Sequence, residues 1–121
     1  MQRDAAAIVD MLESARAIRD FTERLDEAGF TKSRLVRAAV LYQLTVIGEA
    51  VRRVSMPTRL AHPEVPWLGI SNMRNVLVHD YDDVRLPRVW MIVTRQVPLL
   101  IAALDPIVQS LLAQPPGETP E

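Results

Sequence analysis

Apolar residues recur along this chain at helical spacing. In the first segment, from Asp4 to about Ala28, Ile8, Met11, Leu12, Ala15, Ile18, Phe21 and Leu25 succeed one another at steps of three, one and four. That is the stripe of an amphipathic helix, with Asp10, Glu13, Arg16, Arg19, Asp20, Glu23 and Arg24 mostly on the opposite side. Asp4 is placed to cap its start and Gly29 to stop it in a left-handed turn. A second helix is predicted from Lys32 to Ser55, capped by Thr31 or Ser33. Its apolar positions (Leu35, Ala38, Ala39, Leu41, Tyr42, Val46, Ile47, Ala50, Val51 and Val54) cover more than one face. Such a helix must bury two sides, and in a small domain the second side fits a subunit interface. Glu49 interrupts this surface, so its carboxylate is expected to have a partner.

Prolines punctuate the middle of the chain. Pro57, Pro63 and Pro66 mark a joint from Met56 to Pro66, with one short helical turn between Pro57 and Ala61. Pro66 suits the first position of a third helix carrying Trp67, Leu68, Ile70, Met73, Val76 and Leu77 and ending near His79. Asp80 to Asp83 read as a solvated connection. A fourth helix is predicted from Pro87 to about Ala113, kinked or split by Pro98 and Pro106, each of which removes a helix hydrogen bond. Trp67 and Trp90 are expected in the core. No strand-like alternation extends beyond a few residues. The expected fold class is an all-α bundle of four to five helices in one domain, residues 1–113, with residues 114–121 a disordered tail.

Composition narrows the function. With 121 residues, one domain is the natural division. The absence of cysteine removes disulfides, thiolate metal sites and cysteine nucleophiles. Apolar runs fall short of a membrane span, and Asp10 and Glu13 break any leader-like core near the N-terminus. A cytoplasmic protein without membrane association is the expectation. Basic residues number 14, all arginine except Lys32, against 15 acidic ones, for a net charge of −1. A chain this close to neutral grips nucleic acid only through a local patch, for which arginine's planar fork is well suited.

Candidate chemistry concentrates in Met73-Arg74-Asn75-Val76-Leu77-Val78-His79-Asp80-Tyr81. His62 and His79 stand 17 positions apart with no zinc-ligand spacing, so no metal site is expected, and four scattered glycines form no phosphate loop. An imidazole exchanges protons near neutral pH, and a guanidinium holds a phosphate and the charge that develops on it. Those two functions are what metal-free RNA cleavage requires. Arg74 and His79 lie roughly 140° apart on a regular helix, whereas Asn75 and His79 share a face. Either the helix ends before His79, or two chains related by a two-fold axis bring both pairs to one cleft. Read as structure alone, the same stretch is a helix C-terminus favoured by a histidine near its last carbonyls.

The run Arg74, four residues, His79, one residue, Tyr81 resembles the signature of HEPN-domain ribonuclease toxins of the HepT type. Val46-Ile47-Gly48-Glu49-Ala50, His62-Pro63-Glu64-Val65-Pro66-Trp67, Met73-Arg74-Asn75, and Val89-Trp90 followed by Val97-Pro98-Leu99 are similar to that family's blocks, in order, across residues 8 to 112. The resemblance implies an all-α HEPN bundle, a two-fold homodimer and metal-independent endoribonuclease activity without a cofactor. Arg74 and His79 would be catalytic, with Asn75 supporting them. Glu49 is a possible further support, equally explained by a core or interface hydrogen bond. Tyr81 would be the hydroxyl that a cognate MntA-type nucleotidyltransferase antitoxin modifies with AMP. The RNA substrate would be mRNA or tRNA. Asp82 and Asp83 make the rim beside Tyr81 acidic. The alternative is a non-catalytic helical module that docks on a nucleotidyltransferase.

Overall fold

The computed structural model describes residues 2–72 and 85–113. Among them the chain is helical, with no strand. The elements are α1 (Gln2–Thr22), α2 (Glu27–Lys32), α3 (Arg34–Val51), α4 (Met56–Ala61), the helical residues 67–72 (α5), and one long helix α6 (Leu86–Leu112). This is the expected all-α bundle, with six helices where four or five were predicted. The predicted first helix breaks at Thr22, whose hydroxyl bonds back to the Ile18 carbonyl at 2.8 Å. Asp26 then starts α2, its carboxylate accepting from the Gly29 amide at 2.8 Å. Gly29 is therefore not a left-handed stop. It lies inside α2, where a Cβ would come within 3.2 Å of the Asp26 carboxylate and 3.3 Å of the Leu25 side chain.

Ser33 does cap α3, accepting from the Val36 amide at 3.1 Å. Asp4 acts elsewhere than expected. It lies within α1, buried, and its carboxylate accepts from the Ser55 amide at 2.9 Å, the Ser55 hydroxyl, and the Thr58 hydroxyl at 2.6 Å. Ser55 is the N-cap of α4 but makes no cap bond of its own. Asp4 supplies it across 51 positions of sequence, because the packing of α1 on α3 brings the two ends together.

The core is one cluster between α1, α3 and α6. Ala7, Ile8, Met11, Leu12, Ala15 and Ile18 of α1 meet Val40, Leu44, Ile47, Ala50 and Val51 of α3. Val89, Ile92, Val93, Val97, Leu100, Leu104, Ile107 and Val108 of α6 complete it. The α6 helix, of 27 residues, is long and apolar enough to cross a membrane by length and composition alone. In this structure its apolar stripe packs on α1. Ion pairs Arg16–Asp105 and Arg53–Asp10 join α1 to α6 and to the end of α3.

The prolines of α6 have separate effects. Before Pro98 the helix widens into a π-helical turn, Ile92–Gln96, and the Val97 amide donates to the Ile92 carbonyl five residues back. Pro98 has no amide to offer the Thr94 carbonyl, and the wider turn spreads that defect over several residues. The Thr94 hydroxyl donates to the Trp90 carbonyl at 2.9 Å. Pro106 sits inside α-helical Val97–Leu112 without ending it.

Several residues of the predicted stripes face outward. Phe21, one position before the end of α1, is 41% exposed, and Leu35 and Tyr42 on α3 are 80% and 66% exposed. The second apolar side of α3 is thus open in a single chain.

Candidate functional site

The signature residues Arg74, Asn75, His79 and Tyr81 lie outside the described residues, as do Asp80, Asp82 and Asp83 and the tail 114–121. What the structure shows is the mount from which that segment departs. The α4 helix ends at His62, and the chain turns through Pro63 and Glu64, with the Val65 amide donating to the His62 carbonyl at 3.2 Å. Val65 is buried. The Trp67 indole, also buried, donates to the carbonyls of His62 at 3.0 Å and Arg59 at 3.2 Å. Arg59 lies in the last turn of α4 and His62 is its C-cap, so the indole adds a second donor to carbonyls that already accept from the His62 and Val65 amides. Trp67 therefore ties the start of α5 to the end of α4 and buries a large ring at the same point.

Arg59 adds a second tie. Its guanidinium donates to the Val54 carbonyl at 3.1 Å and the Val51 carbonyl at 2.6 Å, closing the C-terminus of α3. The Asp4 cap holds the other end of α4. Burial raises the Asp4 pKa, but donors from the Ser55 and Thr58 hydroxyls and the Ser55 amide outweigh it and hold the carboxyl below the usual aspartate value. The path from α3 through α4 into α5 is thus fixed by hydrogen bonds at both of its corners.

His62 is half-buried in the joint, with Nδ1 3.4 Å from Glu64. Trp90 packs against Phe30 with ring centroids 5.3 Å apart. Glu49 is exposed on α3, while Ile47, Gly48 and Ala50 around it are buried. The groups it would support, Arg74 and His79, are outside the described residues.

Between α3, α5 and α6 lies an apolar cleft of about 320 Å³, lined mainly by Leu44, Ile47, Ile70, Ile92, Val97 and Leu100, with Gln96 as its polar member. Among the described residues no titratable side chain lines it. Among the described residues no three His, Cys, Asp or Glu side chains gather closely enough to hold a metal ion.

Comparison with known proteins settles the family. The model of the family described as "Ribonuclease HepT-like" matches residues 11–107, four fifths of the chain and including residues 73–84. The chain belongs to the HepT-like ribonuclease family. Among curated relatives, "Putative RNase MJ1380" of Methanocaldococcus jannaschii is 37% identical over 98 residues, covering 80% of this chain and 90% of that protein. "Putative RNase MJ0127" of the same organism is 33% identical over 106 residues, covering 88% of each. "Probable ribonuclease HepT" of Thermococcus cleftensis is 31% identical over 91 residues, 75% of this chain and 83% of that one. No solved structure matches. Three of the HepT-like blocks read from the sequence fall on described elements. Val46–Ala50 is the inner half of α3, His62–Trp67 is the joint with the Trp67 tie, and Val97-Pro98-Leu99 comes directly after the π turn.

Proposed function

We propose that this HepT-like protein is the toxin of a toxin–antitoxin system, a metal-independent endoribonuclease that works as a two-fold homodimer in the cytoplasm. The observation that carries this reading is the match of the ribonuclease family over residues 11–107, a span that contains Arg74, Asn75, His79 and Tyr81. The names of the relatives point the same way.

The chemistry follows from the side chains. One imidazole of the paired His79 residues removes the proton of a ribose 2′-hydroxyl, and that oxygen attacks the adjacent phosphorus. Arg74 donates to the non-bridging oxygens, where negative charge grows in the five-coordinate state. The bond from phosphorus to the 5′-oxygen breaks, and the second imidazole protonates the leaving oxygen. The products are a 2′,3′-cyclic phosphate and a 5′-hydroxyl. Asn75 supports the pair by hydrogen bonding, and no metal ion enters the scheme.

Control acts on Tyr81. A cognate MntA-type nucleotidyltransferase would bind this chain and direct the Tyr81 phenolate oxygen at the α-phosphorus of ATP. A bond to the tyrosine oxygen forms, the bond to the β-phosphate bridge breaks, pyrophosphate leaves and the phenolic proton is lost. The resulting AMP is bulky and anionic, so beside the cleft it fills space and repels RNA phosphates. In the test, purified protein cleaves single-stranded RNA in EDTA, and Arg74→Ala and His79→Ala each remove most of that activity. Incubation with the antitoxin and ATP adds adenylate mass, and Tyr81→Phe prevents the addition.

A further inference from the structure

Charge is distributed unevenly over this near-neutral chain. From Arg3 to Glu27 there are seven acids against four arginines. From Ala28 to Gly48 there is no acid, and Lys32, Arg34 and Arg37 stand there. From Arg85 to Leu104 there is again no acid, with Arg85, Arg88 and Arg95 present. The fold brings these two acid-free stretches to one edge. Helix α2 packs on the first turns of α6, and Phe30 lies against Trp90 with centroids 5.3 Å apart. Lys32 comes two residues after Phe30, Arg34 opens α3 directly after, and Arg88 and Arg85 precede Trp90 on the opposing helix.

Several cations elsewhere are consumed within the fold, although Arg3, Arg24 and Arg52 are exposed and in no ion pair among the described residues. Among the described residues Arg16, Arg19 and Arg53 are in ion pairs with Asp105, Asp20 and Asp10, and Arg59 is held by backbone carbonyls. Lys32, Arg34, Arg85, Arg88 and Arg95 are exposed and in no ion pair among the described residues. Arg37 donates to the Thr31 carbonyl, which fixes the side chain without neutralising it. Among the described residues the acids of this region are Asp26, engaged in capping α2, and Glu27 beside it, while Asp82 and Asp83 precede Arg85 in sequence. The local balance stays positive.

We propose that this edge, centred on Lys32, Arg34, Arg85 and Arg88, holds the phosphate backbone of single-stranded RNA leading to or from the cleavage site. The proposal rests on the ribonuclease reading. Exposed unpaired guanidinium groups in an acid-free strip are what a polyanion binds, by phosphate contact and counterion release. The strip also answers a need of the chain. Net charge is −1 and Asp82 and Asp83 come directly after Tyr81, so attraction for RNA must come from a separate patch. Arg85 stands four positions after Tyr81, which makes the edge continuous in sequence with the signature.

The test measures anisotropy of a labelled 2′-O-methyl oligoribonucleotide, which lacks the attacking hydroxyl and stays intact, across a salt series. The fourfold variant Lys32→Ala, Arg34→Ala, Arg85→Ala and Arg88→Ala should bind at least about tenfold more weakly. Its salt slope should flatten by about 0.7 for each phosphate no longer neutralised. A control variant with the same charge change, Arg3→Ala, Arg19→Ala, Arg24→Ala and Arg52→Ala, should bind like the parent. Circular dichroism and melting verify that both fold. Equal losses in the two variants, or no loss in the first, overturn the proposal. So does a result in which the first variant loses adhesion to phosphatidylglycerol vesicles while its oligonucleotide affinity is unchanged. Cleavage of single-stranded RNA by the parent chain in EDTA reads the chemistry separately. Its absence in the parent overturns the ribonuclease reading and leaves the binding result to stand or fall alone.

Discussion

The arginines on the α1 side of the molecule and those on the α2–α6 edge are the same residue put to two uses. Arg16 and Arg53 are half-exposed but paired, tying α1 to α6 and to the end of α3. Arg34, Arg85 and Arg88 are exposed and in no ion pair among the described residues. Acids are interleaved in α1 and missing from the other strip, so neighbouring charges rather than fold position decide which arginines are consumed internally. A net charge near zero therefore conceals a patch when the two signs are segregated.

The contrast can be broken at several points. The largest effect should come from neither set of arginines but from the core on which both ride. Leu104→Ala or Leu44→Ala, each fully buried, should lose about 2–5 kcal/mol of stability in denaturant titration. Loss near zero would mean the α1–α3–α6 packing is misassigned. Next comes the Asp4 cap. Asp4→Asn should cost about 1–3 kcal/mol near neutral pH. The sign with pH is determined by the lowered folded pKa of Asp4. Its stabilisation is present above the ordinary aspartate value and is lost as pH falls through the depressed folded value. The gap between parent and variant should therefore close in acid, and a gap that widens there would contradict the assignment.

Smaller effects sharpen the contrast between the two sets. Arg16→Ala should cost no more than about 1 kcal/mol, because both partners of the pair are 41% exposed. Arg34→Ala and Arg88→Ala should leave stability nearly unchanged in thermal melts, within about 0.5 kcal/mol, since neither charge is in an ion pair among the described residues. A stability cost at Arg88 as large as at Arg16 would erase the distinction.

Much of this architecture was legible because its causes are local. Ser33 caps α3 as a serine before an apolar helix should, and Pro57 and Pro66 bracket a short helix and a joint as prolines do. What escaped had causes far away in sequence. Asp4 looks like the cap of its own helix, yet it caps α4, and only the packing of α1 against α3 makes that possible. Gly29 looks like a stop, but Asp26 three residues earlier begins a new helix through it. Pro98 announced a disturbance in α6, but not that a π turn ahead of it would absorb the defect. Phe21, Leu35 and Tyr42 belong to apolar stripes by spacing and still face outward, since periodicity marks a face without saying what covers it. For the site, the signature was legible as a spacing of residue types, and the family comparison places the chain among ribonucleases. The support of Trp67 by the α4 carbonyls was not, because indole hydrogen bonding depends on where a helix happens to end.

The functional reading stands on Arg74 and His79 carrying RNA cleavage, and incubation of purified protein with single-stranded RNA in EDTA tests it head-on. Ends bearing 2′,3′-cyclic phosphate are expected from the parent chain and almost none from His79→Ala or Arg74→Ala. Cleavage undiminished in both variants, or cleavage that EDTA abolishes and a divalent cation restores, would contradict that reading.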